Sequence, residues 1–122
     1  MRVLIADDHA IVRKGVRSLL ESHYRSLICS EAVDGADAVK QALGNKPDVV
    51  IMDITMPSLN GFEAASQIHR NFPDLPIVML SMHQAAEHLE AAKAIGVRAY
   101  VSKSQASKDL IKAIDSVMNH QA

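Results

Sequence analysis

Two apolar runs constrain the fold of this chain more than anything else in it. Residues 48–52 read DVVIM and residues 76–80 read PIVML, with Val, Ile, Met and Leu almost unbroken. A strand with one wet face alternates apolar and polar residues, whereas a strand covered on both faces does not. These two runs are therefore read as central strands of a parallel sheet with helices on both sides. Three further runs of strand length complete the sheet: RVLIA at 2–6, LICSEAV at 27–33 and RAYVS at 98–102.

Helical spacing fills the intervals. Val12, Val16, Leu19 and Leu20 share one face, as do Val39, Ala42 and Leu43, then Phe62, Ala65, Ile68 and Phe72. Leu110, Ile111, Ile114, Val117 and Met118 repeat the pattern at the end. The segment 84–95, QAAEHLEAAKAI, is helical too, but its apolar face is mostly alanine, with Leu89 and Ile95 its only large anchors. It is expected to be the most loosely held helix. Asp34-Gly35 is a hairpin signal in isolation, but the helical period behind it favours Asp34 as a helix cap. Five β-α repeats with no linker point to one α/β domain, a doubly wound five-stranded parallel sheet with helices on both faces.

Composition narrows the function. The formal charge is −1 over 122 residues, with acids and bases mixed, so the chain lacks the basic face of a stand-alone nucleic-acid binder. No apolar stretch is long enough to cross a membrane, and MRVLIADD is too short and acidic for a signal peptide, so a cytoplasmic location is expected. Cys29 is the only cysteine and is read as an inert thiol on a strand. The six histidines (His9, His23, His69, His83, His88 and His120) show no metal-binding spacing and are read as surface groups.

The polar residues fall at the strand ends. Strand one runs into Asp7-Asp8, strand three into Asp53, strand four into Ser81 and strand five into Ser102-Lys103. In a parallel sheet these ends share one edge, where ligands of open α/β sheets bind. Adjacent carboxylates repel by about 1 kcal/mol per pair at about 4 Å in water, and by more in a cleft. Lys103 offsets one charge, and a hard divalent cation offsets two more. Magnesium, which takes oxygen ligands and couples carboxylates to phosphate, fits that demand. Either acid of the pair could instead be a helix cap, Asp8 for the helix starting near Ala10. The five residues together are hard to explain that way.

With these residues in view, the chain resembles the receiver domain of a bacterial two-component response regulator. The pieces that carry the likeness are LIADDHAIVRKGV, DVVIMDITMPSLNGFE, PIVMLSMH and AYVSKS, and it extends from Arg2 to about His120. The resemblance implies a flavodoxin-like fold with strand order 2-1-3-4-5. It implies that Asp53 is the phosphoacceptor, charged by a sensor histidine kinase or a small phosphodonor. Asp7 and Asp8 would hold Mg²⁺ together with Asp53 and the backbone carbonyl of Thr55, Asp8 being the more direct ligand of the pair. Lys103 would pair with the phosphoryl oxygens, Ser81 would be the switch hydroxyl and Tyr100 the aromatic switch residue. His83 and Thr55 would border the phosphoryl group and influence how long it survives.

Two positions depart from the commonest family pattern. Ser104 stands where proline usually follows the lysine on a cis bond, which leaves the Lys103-Ser104 bond open as cis or trans. Met82 stands where alanine often follows the switch hydroxyl and could narrow access to Asp53. DDHAIVRKGV with SKS most resembles receivers of the LuxR/NarL type, which precede a helix-turn-helix DNA-binding domain. Residues 1–122 would then be the receiver of a longer chain, with DNA reached only through an output domain outside it, or else a single-domain regulator; a phosphorylation-dependent homodimer is a further implied partner. The resemblance makes the chain a signalling domain rather than an enzyme.

Three other readings compete with this one. A phosphatase with an aspartate nucleophile needs a second aspartate two residues on, where this chain has Thr55. A flavin carrier needs a phosphate loop after strand one, where DDHA would repel the phosphate. A phosphorylation-independent interaction domain has no need of the complete set of site residues.

Overall fold

The computed structural model describes residues 1–82 and 86–119. Five strands alternate with five helices: β1 (Arg2–Ala6), α1 (Ala10–His23), β2 (Ile28–Ala32), α2 (Gly35–Asn45), β3 (Val49–Asp53), α3 (Gly61–Asn71), β4 (Ile77–Ser81), α4 (Ala86–Ile95), β5 (Ala99–Ser102) and α5 (Ala106–Asn119), with a short 3₁₀ turn at Lys103–Gln105. The strands form one parallel sheet in the order β2-β1-β3-β4-β5. Every residue of β3 and β4 is buried, as their unbroken apolar runs require. None of the helices among the described residues is long and apolar enough to cross a membrane.

The sheet divides the core in two, and the division follows the two-residue period of a strand. Leu4, Ala6, Val50, Met52, Ile77 and Met79 face α2, α3 and α4. Val3, Ile5, Val49, Ile51, Val78, Leu80 and Val101 face α1 and α5. Helix α1 seals its side with Val16 and Leu20, and α5 with Leu110, Ile114 and Val117. The opposite layer is thinner: α2 contributes Ala38 and Ala42, α3 contributes Ala64, Ala65 and Ile68, and α4 contributes Ala92.

Several local expectations need correction. Leu43 was placed on the core face of α2 but is exposed, and Ala38 takes the buried position. Alanine fits there because α2 lies close to its neighbours: a Cβ on Gly35 would meet the backbone of Leu59. Phe72 lies just past α3, as its C-cap. In α4 the fully packed residue is Ala92, while Leu89 and Ile95 are half-buried. His69 and His88 are not free surface groups. Each has its Nδ1 buried, and the His88 ring stacks at 5.6 Å on Phe62 of α3. His83 and His120 lie outside the described residues. Asp34 is a helix cap, its side chain accepting the Asp37 amide at 2.8 Å, which settles the hairpin alternative.

Gly61 ties the fold to the sheet edge. It opens α3 behind the Asn60 cap, whose side chain accepts the Glu63 amide at 2.9 Å. Its own amide donates to the Ile54 carbonyl at 2.7 Å. A Cβ at this position would stand 2.1 Å from the Asp53 carbonyl oxygen. Gly61→Ala is therefore expected to cost about 1–3 kcal/mol or more, as overpacking against rigid backbone does. Gly15, in the middle of α1, has nothing within 4 Å of such a Cβ. Gly15→Ala should stabilise by about 0.5–1 kcal/mol, and urea denaturation of the two variants against the parent measures both effects.

Candidate functional site

The site begins with the alternation of β1 and β3. In β1, Val3 and Ile5 face the α1/α5 layer, as do Val49 and Ile51 in β3. Carried two residues further, the same rows reach Asp7 and Asp53. Asp53 is the last residue of β3, and Asp7 follows the end of β1, its amide donating to the Ala32 carbonyl of β2 at 3.1 Å. Both carboxylates are buried, Asp7 at 1% and Asp53 at 2% exposure. Two anions withdrawn from water on adjacent strands need a countercharge. It comes from the far edge of the sheet: Lys103, beyond β5, places its Nζ 2.9 Å from Asp7 Oδ2 and 3.0 Å from Asp53 Oδ1.

One ammonium does not balance the site. Burial pushes the Asp53 carboxyl up, and the neighbouring Asp7 charge adds to this, against the Lys103 hydrogen bond that pulls it down. Burial works against the Lys103 ammonium too, but its bonds to Asp7 and Asp53 outweigh that and raise its pKa. Asp53 Oδ2 is buried with no hydrogen-bond partner. Asp8 adds a third carboxylate, 30% exposed. It does not cap α1, whose N-cap is His9 with no side-chain capping bond. Asp7, Asp8, His9 and Asp53 each offer a donor atom within 4.8 Å of the others. With three carboxylates, one ammonium and an orphaned buried oxygen, the cluster has the donor set and the residual charge for a divalent cation.

The remaining expected residues stand round this centre. Ser81 closes β4 and is buried. In register, Asp53 pairs with Leu80, so Ser81 lies one step beyond it. Tyr100 pairs with Met79 and is half-buried against the α2–α4 layer. Thr55 is exposed, and its backbone amide helps hold Asp53 in its ionised form. The Lys103-Ser104 bond is trans, with no cis bond among the described residues. A hydrogen bond of 2.9 Å between the Ser102 and Ser104 hydroxyls braces that turn. Met82 is 68% exposed and lines a hollow between α1 and α5 beside Lys103, so it borders the site without being packed into it.

Four participants were not foreseen. His9 donates its backbone amide to Asp7 Oδ1 at 2.8 Å, and its Nδ1 lies 3.1 Å from Asp7 Oδ1 and from Asp8 Oδ1. Arg13 donates through Nη1 to the Asp7 carbonyl at 2.7 Å and through Nε to Glu31 at 2.9 Å. Glu31 takes a second guanidinium, Arg17, at 2.9 Å, and its carboxyl is held low, first by the Arg13 hydrogen bond and then by Arg17. This ladder fastens the β1–α1 loop to β2. Glu31 is an acid inside an otherwise uncharged strand, and that alone signals a required partner. Cys29, half-buried on the same strand, has its thiol pushed up by burial, the direction of an unreactive thiol.

Comparison with known proteins agrees with this geometry. The family model described as the response regulator receiver domain matches residues 3–115. The chain is 38% identical over 121 residues to the response regulator UvrY of Escherichia coli K12, covering 99% of this chain and 56% of that protein. It is 36% identical over 118 residues to the oxygen regulatory protein NreC of Staphylococcus carnosus, covering 96% of this chain and 54% of that one. The chain thus spans about half the length of these curated relatives. Among solved structures, a LuxR-family two-component response regulator from Aurantimonas sp. SI85-9A1 superposes with a TM-score of 0.91 at 32% identity, covering 98% of this chain and 85% of that one. The response regulator domain of Thermotoga maritima CheB superposes with 0.88 at 30% identity, covering 98% and 96%. Fold, site geometry and sequence relatives agree: the chain belongs to the response regulator receiver domains, in their LuxR-type branch.

Proposed function

We propose that Asp53 accepts a phosphoryl group from a phosphohistidine of a sensor histidine kinase, or from a small phosphodonor, and that the charge it gains switches the surface of the domain. The observation that carries this is the buried Asp7–Lys103–Asp53 cluster with its orphaned Asp53 oxygen. A carboxylate oxygen of Asp53 attacks phosphorus, the new O–P bond forms, and the P–N bond to the imidazole breaks, its electron pair leaving with the nitrogen. Lys103 meets charge on the phosphoryl oxygens in a transition state that is loose and rich in oxygen charge. Asp7, Asp8, Asp53 and the Thr55 carbonyl are the ligands we assign to Mg²⁺, which when bound neutralises the phosphoryl oxygens as a Lewis acid.

The product adds about −1.5 to −2 charge at one strand end, by analogy with phosphoserine. Ser81 then donates a hydrogen bond to a phosphoryl oxygen and moves inward, and Tyr100 turns into the space it leaves. A charge-assisted bond of roughly 1.5–3 kcal/mol shifts a two-state equilibrium about tenfold to a hundredfold. The output is transcription, through a helix-turn-helix domain beyond this chain. A phosphorylation-dependent homodimer and a sensor histidine kinase are the partners that complete the reading, with this domain in the cytoplasm. It is supported by the relatives, about twice as long as this chain, one named a response regulator and the other an oxygen regulatory protein.

Incubation with Mg²⁺ and acetyl phosphate should add one phosphoryl group to the native chain by intact mass and none to Asp53→Asn. Rapid turnover of generic phosphoesters would instead indicate a phosphatase, and no uptake by the native chain an interaction domain.

A second prediction concerns stability without metal. A carboxyl whose folded pKa is raised holds its proton more tightly folded than unfolded. Between the ordinary carboxylate range and that raised value, stability falls as pH rises, and above it the full penalty applies. With chelator present at neutral pH, Asp53→Asn should therefore be more stable than the native chain by about 1 kcal/mol. The difference should close as pH falls through the raised Asp53 value toward the ordinary carboxylate range. Denaturant midpoints across pH 4–8 measure it.

A further inference from the structure

His9 Nδ1 is a ligand-class atom at the cation pocket that the magnesium assignment leaves unused. It lies 3.1 Å from Asp7 Oδ1 and 3.1 Å from Asp8 Oδ1. Two ligands held about 2.1 Å from one metal at right angles stand about 3.0 Å apart, which is the edge of a coordination octahedron. The nitrogen thus already sits at ligand spacing from two carboxylate oxygens. Asp53 supplies the independent demand for a cation, with its Oδ2 buried and unpartnered on a residue 2% exposed.

We propose that His9 is a nitrogen ligand of this pocket and gives it a mixed nitrogen–oxygen donor set that takes divalent transition metals, such as Co²⁺ or Ni²⁺, in preference to Mg²⁺. The inference rests on the metal pocket proposed above. Magnesium is a hard ion that favours oxygen, whereas imidazole nitrogen adds affinity along the first transition row. The change asked of His9 is small. Without metal, Nδ1–H is the donor that fits Asp7 Oδ1 at 3.1 Å. With metal, the proton resides on Nε2 and the Nδ1 lone pair turns to the ion. Being 64% exposed, the ring can adjust without disturbing the core. His9 is also anchored through its backbone, whose amide donates to Asp7 Oδ1 at 2.8 Å. The side chain therefore cannot drift far from the acids, a preorganisation that binding would otherwise have to supply.

Calorimetric titration of the native chain, His9→Ala and His9→Gln with Mg²⁺ and separately with Co²⁺ tests this. Co²⁺ affinity should fall about tenfold or more in both variants, while Mg²⁺ affinity changes by less than about twofold. The visible absorption of bound Co²⁺ should change between the native chain and the variants as a nitrogen ligand is lost. Equal losses for both ions, or unchanged Co²⁺ binding, would overturn the nitrogen ligand while leaving the magnesium pocket standing. Failure of Mg²⁺ to bind the native chain at all would overturn the pocket itself, and this assignment with it.

Discussion

The ammonium of Lys103 is the interaction on which the site depends. It joins the buried carboxylates of Asp7 and Asp53, which stand on adjacent strands, from a position beyond a third strand at the sheet's edge. Strands repeat at about 4.8 Å, so β5 lies roughly 10 Å from β3 with β4 between them. Only a long, flexible side chain leaning in from beyond the strand end covers that gap. Lysine does so with an apolar stem that can cross buried surface and a compact charge at its tip. The turn at Lys103–Gln105 and the bond between Ser102 and Ser104 fix where that stem starts.

This interaction is insufficient by design of the charges. Three carboxylates face one ammonium, and burial pushes Asp53 toward its protonated form. The rest of the domain absorbs the strain: the aliphatic rows on both sheet faces, the Gly61 contact that draws α3 against Asp53, and the Arg13–Glu31–Arg17 ladder that holds the β1–α1 loop. A packed core that supports an unfavourable cluster at its rim is the mark of a binding site. The surplus negative charge is also what makes a cation at this rim thermodynamically welcome.

Much of this was legible in the sequence because it rests on local rules. Unbroken apolar runs marked β3 and β4, and punctuation by Asn, Pro and Gly marked the junctions. The convergence of Asp7, Asp53 and Lys103 followed from parallel strands sharing an edge. The apolar runs stop one residue short of Asp53 and Ser81, and the structure ends β3 and β4 on those two polar residues, where the sequence places the strand ends. Leu43 was misplaced because helical spacing identifies an apolar stripe without saying how near the neighbouring helix comes. Where α2 and α3 approach closely, alanine is buried and leucine is displaced outward. His9 was read as surface, which its exposure bears out, but its backbone bond into Asp7 could be known only once the loop was folded. Arg13 and Glu31 lie on different elements, and their pairing needed β1 and β2 in register.

The two-residue alternation of the strands bears on how a change at Asp53 could travel. Ser81 continues the row of Ile77 and Met79, which faces α2, α3 and α4, and Tyr100 packs against that same layer. Asp7 and Asp53 continue rows that face α1 and α5. The acids and the two proposed switch residues therefore stand on opposite sides of one sheet edge. A group added to Asp53 reaches the α4 side only over the rim, through the end of β4. There it meets the thinner layer: α4 seals itself with Ala92, and a hollow of about 100 Å³ lies between Leu89, Ala92, Val97 and Tyr100. Large side chains that interlock resist displacement, and small ones beside a void do not. The α1/α5 layer is sealed by larger side chains, Leu20, Leu110 and Ile114, although it too carries a hollow, between Val12, Val16, Leu80 and Met82 beside Lys103. What sets the α4 side apart is thus the size of the side chains that seal it, Ala92 there against Leu20, Leu110 and Ile114 on the other face.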